Sequence, residues 1–171
     1  MQRAHIQTSA GVFTAWFTDQ GLARLDFPGR GKDPQRDEER NGQPSFALDN
    51  GSTRRWHQLT AAALREALSG KQPTRMPPLD LSAGTRFQRR VWSALRKIST
   101  GETWTYSQVA AAAGRPRAVR AAGSACVANP IPVFVPCHRV VSKGGIGGFS
   151  SGLEWKRRLL SREGVVVDGA L

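Results

Sequence analysis

The chain has 171 residues, 39% of them hydrophobic, two cysteines and a formal net charge of +12, a composition that suits one ordinary domain or two small ones. No apolar run approaches the ~20 residues that span a bilayer, and the N-terminal segment has no long apolar stretch of a secretion signal, which argues against a membrane-spanning or exported protein. Two cysteines are too few for a disulfide framework, so a cytoplasmic protein is predicted.

The N-terminal part begins with a pattern typical of strands. Residues 4–27 alternate roughly between apolar and polar, and "VFTAWF" and "LARLDF", separated by a "DQG" turn, predict a β-hairpin. Residues 28–52 are polar and rich in Gly and Pro, which predicts a partly disordered loop. "STRRWHQLTAAALREALSG" predicts a helix that ends at its glycine. The prolines of "KQPTRMPPLDLSAG" indicate an extended linker, with a domain boundary near residue 80.

The C-terminal part carries most of the positive charge. Residues 1–80 contain 11 basic and 9 acidic residues, a net charge of +2, whereas residues 81–171 contain 14 and 4, a net charge of +10. This asymmetry favours a polyanionic partner such as nucleic acid. Charge alone fits a soluble protein with solvated arginines equally well.

The elements that follow the linker are mainly helical. "GTRFQRRVWSALRKI" predicts an amphipathic helix with its arginines opposite an apolar stripe. Residues 107–113 and 117–127 predict two short helices joined by a tight "GRP" turn, the pattern of a helix-turn-helix unit. The second of them carries Arg117 and Arg120 among alanines. An ordinary pair of packed helices fits the same spacing, and the local positive charge favours the DNA-binding alternative.

The segment "IPVFVPCHRVV" is a β-type apolar run that Pro136 interrupts, and it places Cys137 beside His138. By itself it fits either a buried, inert thiol or a nucleophile with a nearby base. The glycine-rich "SKGGIGGFSSG" allows close approach of a ligand but lacks the ending of a phosphate-binding loop. "LEWKRRLLSREG" predicts a last helix with Leu153, Leu159 and Leu160 facing inward.

Several of these segments, in this order, resemble the O6-alkylguanine-DNA alkyltransferases (methylated-DNA–protein-cysteine methyltransferases). "GTRFQRRVWSALRKISTGETWTYSQVA", "GRPRAVRAAGSACVANPIPVFVPCHRVV" and "GGFSSGLEWKRRLLSREG" carry the resemblance, which covers about residues 84–164. It implies an α+β fold. A small ribonuclease H-like domain of hairpin and helix would occupy residues 1–80, and a mostly helical domain for DNA binding and alkyl transfer would occupy residues 81–171.

The resemblance implies DNA repair by direct damage reversal. An alkyl group on O6 of guanine, and also on O4 of thymine, in duplex DNA would pass irreversibly to Cys137. A water would link Cys137 to His138, and Glu163 would orient the histidine, as in a catalytic triad. Tyr106, the only tyrosine, would contact the DNA and donate a proton to the departing guanine. Water does not cleave the thioether product, so one turnover per molecule is expected, without a cofactor.

The same resemblance assigns the contacts that recognise the base. Ser150 and the glycine backbone around it would offer N–H groups to O6, and the carbonyls of Val135 and Cys137 would accept from the exocyclic amine. Asn129 would brace the recognition helix against the active-site strand. Phe149 stands where the family usually has tyrosine, which keeps an aromatic wall and removes a hydroxyl.

The implied partner is double-stranded DNA with O6-alkylguanine, its minor groove occupied by the second helix. The target base must leave the stack, and Arg120, with Arg117 nearby on the same helix, would take its place. The small residues Ala121, Ala122 and Ala125 would permit close approach. Such binding is largely phosphate-driven, tolerant of sequence and weakened by salt.

The remaining expectations concern assembly and alternatives. Cys126 is interpreted as a packing residue, and the two histidines of residues 1–80, without a cysteine, make a structural zinc unexpected. We expect a monomer that can assemble in several copies on DNA. A helix-turn-helix sensor that binds alkylated DNA without transfer, and an unrelated cysteine hydrolase, remain as alternatives. Covalent labelling of the protein separates the three functions: it is stoichiometric for an alkyltransferase, absent for a sensor and transient for a hydrolase.

Overall fold

The computed structural model describes residues 1–29 and 51–166. The predicted loop over 28–52 therefore lies outside the described residues, except for its first two and last two positions. The N-terminal part is a three-stranded antiparallel sheet of β1 (Gln2–Thr8), β2 (Gly11–Phe17) and β3 (Leu22–Asp26), in that order. The predicted hairpin is the β2–β3 pair, and β1 is a further strand that pairs with β2 from Gln2↔Phe17 to Thr8↔Gly11.

The first helix, α1 (Gly51–Leu68), confirms the predicted one and packs on β1. The linker behind it is bound to the sheet. Leu22 N donates to Pro78 O at 2.8 Å, and Asp80 N donates to Leu22 O at 2.8 Å, so the linker runs along β3. The domain boundary near residue 80 stays a prediction, because one continuous core joins both halves of the chain.

The described C-terminal part contains four α-helices. Capping boxes begin the first two of them. In each, a threonine just before the helix and a glutamine in its first turn exchange side-chain and backbone hydrogen bonds: Thr85 with Gln88, and Thr105 with Gln108. The second and third form the predicted helix-turn-helix unit. Trp92 Nε1 donates to Ala125 O at 2.9 Å and ties the first helix to the third. The helices are α2 (Arg86–Leu95), α3 (Tyr106–Ala112), α4 (Val119–Val127) and α5 (Leu153–Arg162).

Two sequence predictions in this part are wrong. The run before Cys137 forms turns rather than a strand, Cys137–Arg139 is a 3-10 turn, and only Val140–Val141 is extended, as β5 beside β4 (Trp104–Thr105). Leu153 is 38% exposed, because it begins α5 one turn before the buried face of that helix. Among the described residues, no helix combines the length and the apolar character needed to cross a membrane.

An aromatic cluster joins the sheet to the glycine-rich loop and α5. Phe27 lies 4.8 Å from Trp155 and 5.9 Å from Phe149, measured between ring centroids, and Phe13 lies 5.7 Å from Trp155. Aromatic pairs in such tilted and edge-to-face arrangements stabilise the fold beyond the contribution of their buried apolar area. The N-terminal sheet thereby supports the loop that precedes α5.

The C-terminal ends of α1 and α5 approach each other closely at Gly70, and a substitution there tests this approach. Gly70 has φ +81, and a Cβ there would clash with Arg162 O, whereas Gly29 has φ +76 and no described atom within 4 Å of such a Cβ. We expect Gly29→Ala to cost about 1 kcal/mol for the left-handed backbone alone. Gly70→Ala should cost at least about 3 kcal/mol, since backbone must also move. Urea unfolding measures both, and equal losses would contradict this close approach.

Candidate active site

Cys137 opens the 3-10 turn and is 4% exposed. The chain reaches it through a strained segment. Val133 has φ +78, a left-handed conformation that costs a β-branched residue ~1–3 kcal/mol, so packing around it must hold it there. The turn, and not a strand, therefore sets the direction of the thiol.

Asn129 holds this segment in place. Its Nδ2 donates to Val135 O at 2.7 Å and to Cys137 Sγ at 3.0 Å, and its Oδ1 accepts from Ile131 N at 3.0 Å. Asn129 lies just after α4 and is 8% exposed. One side chain thus links the end of α4 to the sulfur.

The structure also brings His138 and Glu163 together. His138 Nε2 lies 2.9 Å from Glu163 Oε1, and the two side chains are 1% and 4% exposed. Burial lowers the pKa of His138 despite the neighbouring carboxylate, so the imidazole is neutral near pH 7. His138 Nδ1 is buried and has no hydrogen-bond partner among the described residues.

Arg139 is a buried partner that the sequence did not assign. Its Nε donates to Glu163 Oε2 at 3.0 Å and its Nη2 to Glu163 Oε1 at 2.9 Å, a two-point pair, while Nη1 donates to Ile98 O at 2.6 Å. Burial would raise the pKa of Glu163, but hydrogen bonds from His138 and Arg139 outweigh it and lower that pKa to about 2. Arg139 thus keeps the carboxylate ionised. The only sequence feature that pointed to a role for Arg139 was its position in the "PCHR" segment, two residues after Cys137.

Lys156 is the second unassigned residue. Its side chain is fully buried, and Nζ donates to Val140 O and, at 2.9 Å, to Gly148 O. It therefore ties β5 to the glycine-rich loop. Burial lowers the pKa of Lys156 to about 8. The helical spacing of 156, 159, 160 and 163 on α5 was the signal for its inward direction.

The thiols themselves are neutral in this structure. Burial raises the pKa of Cys137 to about 11, although the Asn129 hydrogen bond and the Lys156 charge oppose this. Burial also raises the pKa of Cys126 to about 12, and its side chain packs in the core, consistent with the predicted packing role. Two free cysteines are present and both are buried.

The residues predicted to contact the substrate lie in different places in the structure. Tyr106 begins α3, is half-buried, and packs beside Gly123 and Gly147; burial raises its pKa. Asn129 and Ser150 both line an open groove of about 320 Å³ between β3, the end of α4 and the glycine-rich loop. Phe149, within that loop, packs against Phe27 with the two rings nearly perpendicular.

The prediction for the Val135 carbonyl is at odds with the structure. Val135 O accepts from Asn129 Nδ2 at 2.7 Å and from Cys137 N at 2.8 Å. A carbonyl oxygen has two lone pairs, so both are used by protein donors. The amine of a guanine would find no free acceptor there.

The DNA-binding residues predicted for the second helix of the unit fall into an exposed and a buried set. Arg117 was predicted on this helix but lies just before it, because α4 begins at Val119. Arg117, Arg120 and Ala121 are exposed, as predicted for a DNA-facing surface. Ala122 and Ala125 are 0% and 2% exposed, because that face of α4 packs on the protein core, so their assignment to the DNA surface is wrong. Their small size allows close packing of helices instead.

Fold and site together define a class of protein: a helix-turn-helix domain built around a buried cysteine, with a histidine–glutamate pair beside it. Residues 86–165 match the family described as 6-O-methylguanine DNA methyltransferase, DNA binding domain. The crystal structure of Mycobacterium tuberculosis OGT in complex with DNA matches with a TM-score of 0.74 and 32% identity, covering 95% of this chain and 92% of that one.

Two sequence relatives carry the same family name. The methylated-DNA–protein-cysteine methyltransferase of Methanosarcina barkeri is 37% identical over 162 residues, 92% of this chain and 94% of that protein. The probable methylated-DNA–protein-cysteine methyltransferase of Acanthamoeba polyphaga mimivirus is 56% identical over 86 residues, 50% of this chain. This match spans 58%, little more than half, of the viral protein's length. The chain belongs to the methylated-DNA–protein-cysteine methyltransferase family.

The buried Arg139–Glu163 pair should dominate the stability of the site. Arg139→Met leaves the carboxylate buried without its counter-charge, and we expect a loss of about 3–5 kcal/mol in the free energy of unfolding. The matched control is Arg24→Met, because Arg24 forms a 2.9 Å pair with Asp26 but is 58% exposed. It should cost less than about 1 kcal/mol. Urea unfolding compares them, and equal losses would refute the assigned role.

The depressed pKa of Glu163 makes a pH-dependent prediction. The pKa is 4.5 for an unperturbed carboxyl and about 2 in the folded protein, so ionised Glu163 contributes stability that is complete above about 4.5 and lost as the pH falls toward 2. Wild type should exceed Glu163→Gln in free energy of unfolding most near neutral pH. The difference should shrink across this acidic range. A difference that does not change with pH would contradict the low pKa.

Proposed function

We propose that this protein repairs DNA by transferring an alkyl group from O6 of guanine, or O4 of thymine, in duplex DNA to Cys137, irreversibly and once per molecule. The observation that carries the proposal is the setting of the sulfur: Cys137 Sγ accepts from Asn129 at 3.0 Å, and the next two residues both contact Glu163. Relatives named methylated-DNA–protein-cysteine methyltransferases, and a similar protein solved in complex with DNA, support it.

The first chemical task is to make a thiolate. With the pKa of Cys137 at about 11, the resting thiol keeps its proton near neutral pH, so a base must take it during the reaction. His138 is neutral and offers Nδ1, which has no partner among the described residues. In the proposed mechanism a water passes the proton from Sγ to Nδ1. Glu163, kept ionised by Arg139, then stabilises the imidazolium.

The second task is to release the guanine. The S–C bond forms as the C–O6 bond breaks, and negative charge develops on the base. Tyr106 keeps its proton because burial raises its pKa, and it donates that proton to a ring nitrogen. The imidazolium then returns its proton to the tyrosinate through water. The net transfer is of one proton from the thiol to guanine, and the product is a thioether.

Recognition of the base is assigned to the groove that holds Asn129 and Ser150. Ser150 and the neighbouring glycine backbone would bind O6. Phe27 lines the groove, and Phe149 would support it from outside the lining. The carbonyl of Cys137 is the proposed acceptor for the exocyclic amine, since that of Val135 is occupied.

Duplex DNA is assigned to the exposed face of α4. Arg120 would fill the space of the flipped base, with Arg117 beside it on the phosphates. Beside Arg120, the exposed positions Ala121, Ser124 and Val127, the last of them 68% exposed, carry small or apolar side chains and suit a close minor-groove approach.

A sensor that binds alkylated DNA without reacting is the second candidate. The observation in its favour is the raised pKa of Cys137, which describes an unreactive thiol at rest. The buried His138–Glu163–Arg139 chain favours transfer instead, because lesion binding alone does not require a base poised beside the sulfur.

Intact mass after incubation with duplex DNA carrying O6-methylguanine tests the function. We expect a gain of one methyl group per chain that saturates at one equivalent, with the DNA restored to guanine. Cys137→Ala should gain nothing, and Cys126→Ala should react as wild type does. Lesion binding without a mass gain would favour the sensor, and a gain in Cys137→Ala would mean another acceptor.

Asn129 should act on the ionisation of the sulfur. Its hydrogen bond lowers the pKa of Cys137, so Asn129→Ala should raise that pKa further. We expect single-turnover transfer to slow about 10- to 100-fold near neutral pH, the size of a lost hydrogen bond to a charged group. The deficit should be constant well below pH 11, where both thiols are protonated, and should narrow only as the pH approaches the thiol pKa of about 11. An equal deficit at every pH would leave Asn129 a purely structural role.

A further inference from the structure

A second basic surface lies away from the cysteine. The turn between β1 and β2, the last turn of α1 and one face of α5 enclose an open cleft of about 490 Å³. Three arginines line it: Arg65 from α1, and Arg158 and Arg162 from α5. We call it the three-arginine cleft.

The charge of this cleft is not balanced by the protein. No aspartate or glutamate lines it, and none of the three arginines forms an ion pair among the described residues. Three acidic side chains lie on or next to these helices and do not line the cleft. Glu66 accepts from Thr74 N at 2.7 Å, and Glu163 is held by Arg139. Glu154, one turn before Arg158, forms no ion pair among the described residues. Arg158 and Arg162 are one helical turn apart, a spacing at which like charges repel.

Part of this charge has a structural explanation. Arg65 and Arg162 lie in the last turns of their helices, where a cation interacts favourably with the helix dipole. This does not account for Arg158, which lies a turn earlier and stacks over Trp155 at 5.2 Å from the ring centroid. The guanidinium of Arg158 thus lines the same cleft as those of Arg65 and Arg162. Planar guanidinium groups form two-point hydrogen bonds with phosphate oxygens.

We propose that the three-arginine cleft binds the phosphate backbone of a second DNA segment, separate from the one on α4. The arginines are exposed, so each contact with a single phosphate is weak in water. Only a ligand with several linked phosphates gains enough from three such contacts. None of the exposed large apolar side chains among the described residues lines the cleft, which disfavours a lipid surface.

The cleft is distinct from the proposed lesion site. None of its lining residues belongs to α3 or α4, and none lines the groove that holds Asn129 and Ser150. One molecule can therefore hold two DNA segments. A duplex that engages the cleft can be passed to α4 before the first duplex is fully released, which lets the protein move between DNA molecules without free diffusion.

Dissociation of a labelled, lesion-free duplex tests the proposal without relying on alkyl transfer. With wild type, the apparent dissociation rate should rise severalfold as unlabelled duplex is added. With Arg65, Arg158 and Arg162 all changed to Gln, it should not depend on the competitor. The control changes three exposed arginines outside the cleft, Arg54, Arg55 and Arg75, to Gln, and should behave as wild type.

Two further measurements make the outcome unambiguous. Urea unfolding and methyl transfer from free O6-methylguanine should be alike in the two triple variants, which shows that fold and cysteine site are intact. A wild-type rate that does not depend on the competitor, or equal rates in both triple variants, would overturn the proposal. Saturable binding of inorganic phosphate at the cleft without competitor dependence would replace it with a small-anion site.

Discussion

The arrangement around Cys137 depends on one buried negative charge. The side chain of Glu163, just after α5, is 4% exposed, and an ionised carboxylate there is tolerated only because Arg139 and His138 donate to it. The same arginine binds Ile98 O and Thr100 Oγ1, so the charge also fixes the chain that follows α2. One electrostatic requirement thereby joins α2, the 3-10 turn and α5, and it sets the position of the residue next to the sulfur.

Burial gives the site two opposed properties. It protects the thiol by raising the pKa of Cys137 to about 11, and it lowers the pKa of the adjacent His138, which keeps the imidazole ready to accept a proton. A permanently ionised cysteine would be open to oxidation, and the proposed single reaction does not need one. In the proposed reaction the thiolate exists only while the substrate occupies the site.

The N-terminal sheet takes part in the site although it contributes none of the reacting groups. Phe27, at the end of β3, packs against Phe149 and Trp155, and Leu25 N donates to Pro130 O at 2.9 Å, next to Asn129. The sheet therefore contacts both the glycine-rich loop and the segment after α4, which lie on two sides of the groove. Phe149 has a packing role in this arrangement, because its ring centroid lies 5.9 Å from that of the apolar Phe27.

The sequence by itself determined the local elements and the candidate nucleophile. Capping residues, apolar periodicity and turn glycines act within a few positions, so the helices, the β2–β3 hairpin and the "PCHR" segment could be predicted. Only the tertiary structure decided which side chains are buried together: Arg139 and Glu163 are 24 positions apart, and Trp92 and Ala125 are 33 apart. The burial of Lys156 was not predicted, because a charged side chain is normally exposed. The segment before Cys137 was predicted as a strand but forms turns, which hydrogen bonds from Asn129 hold in place. Such contacts depend on the path of the whole chain, which no short-range pattern encodes.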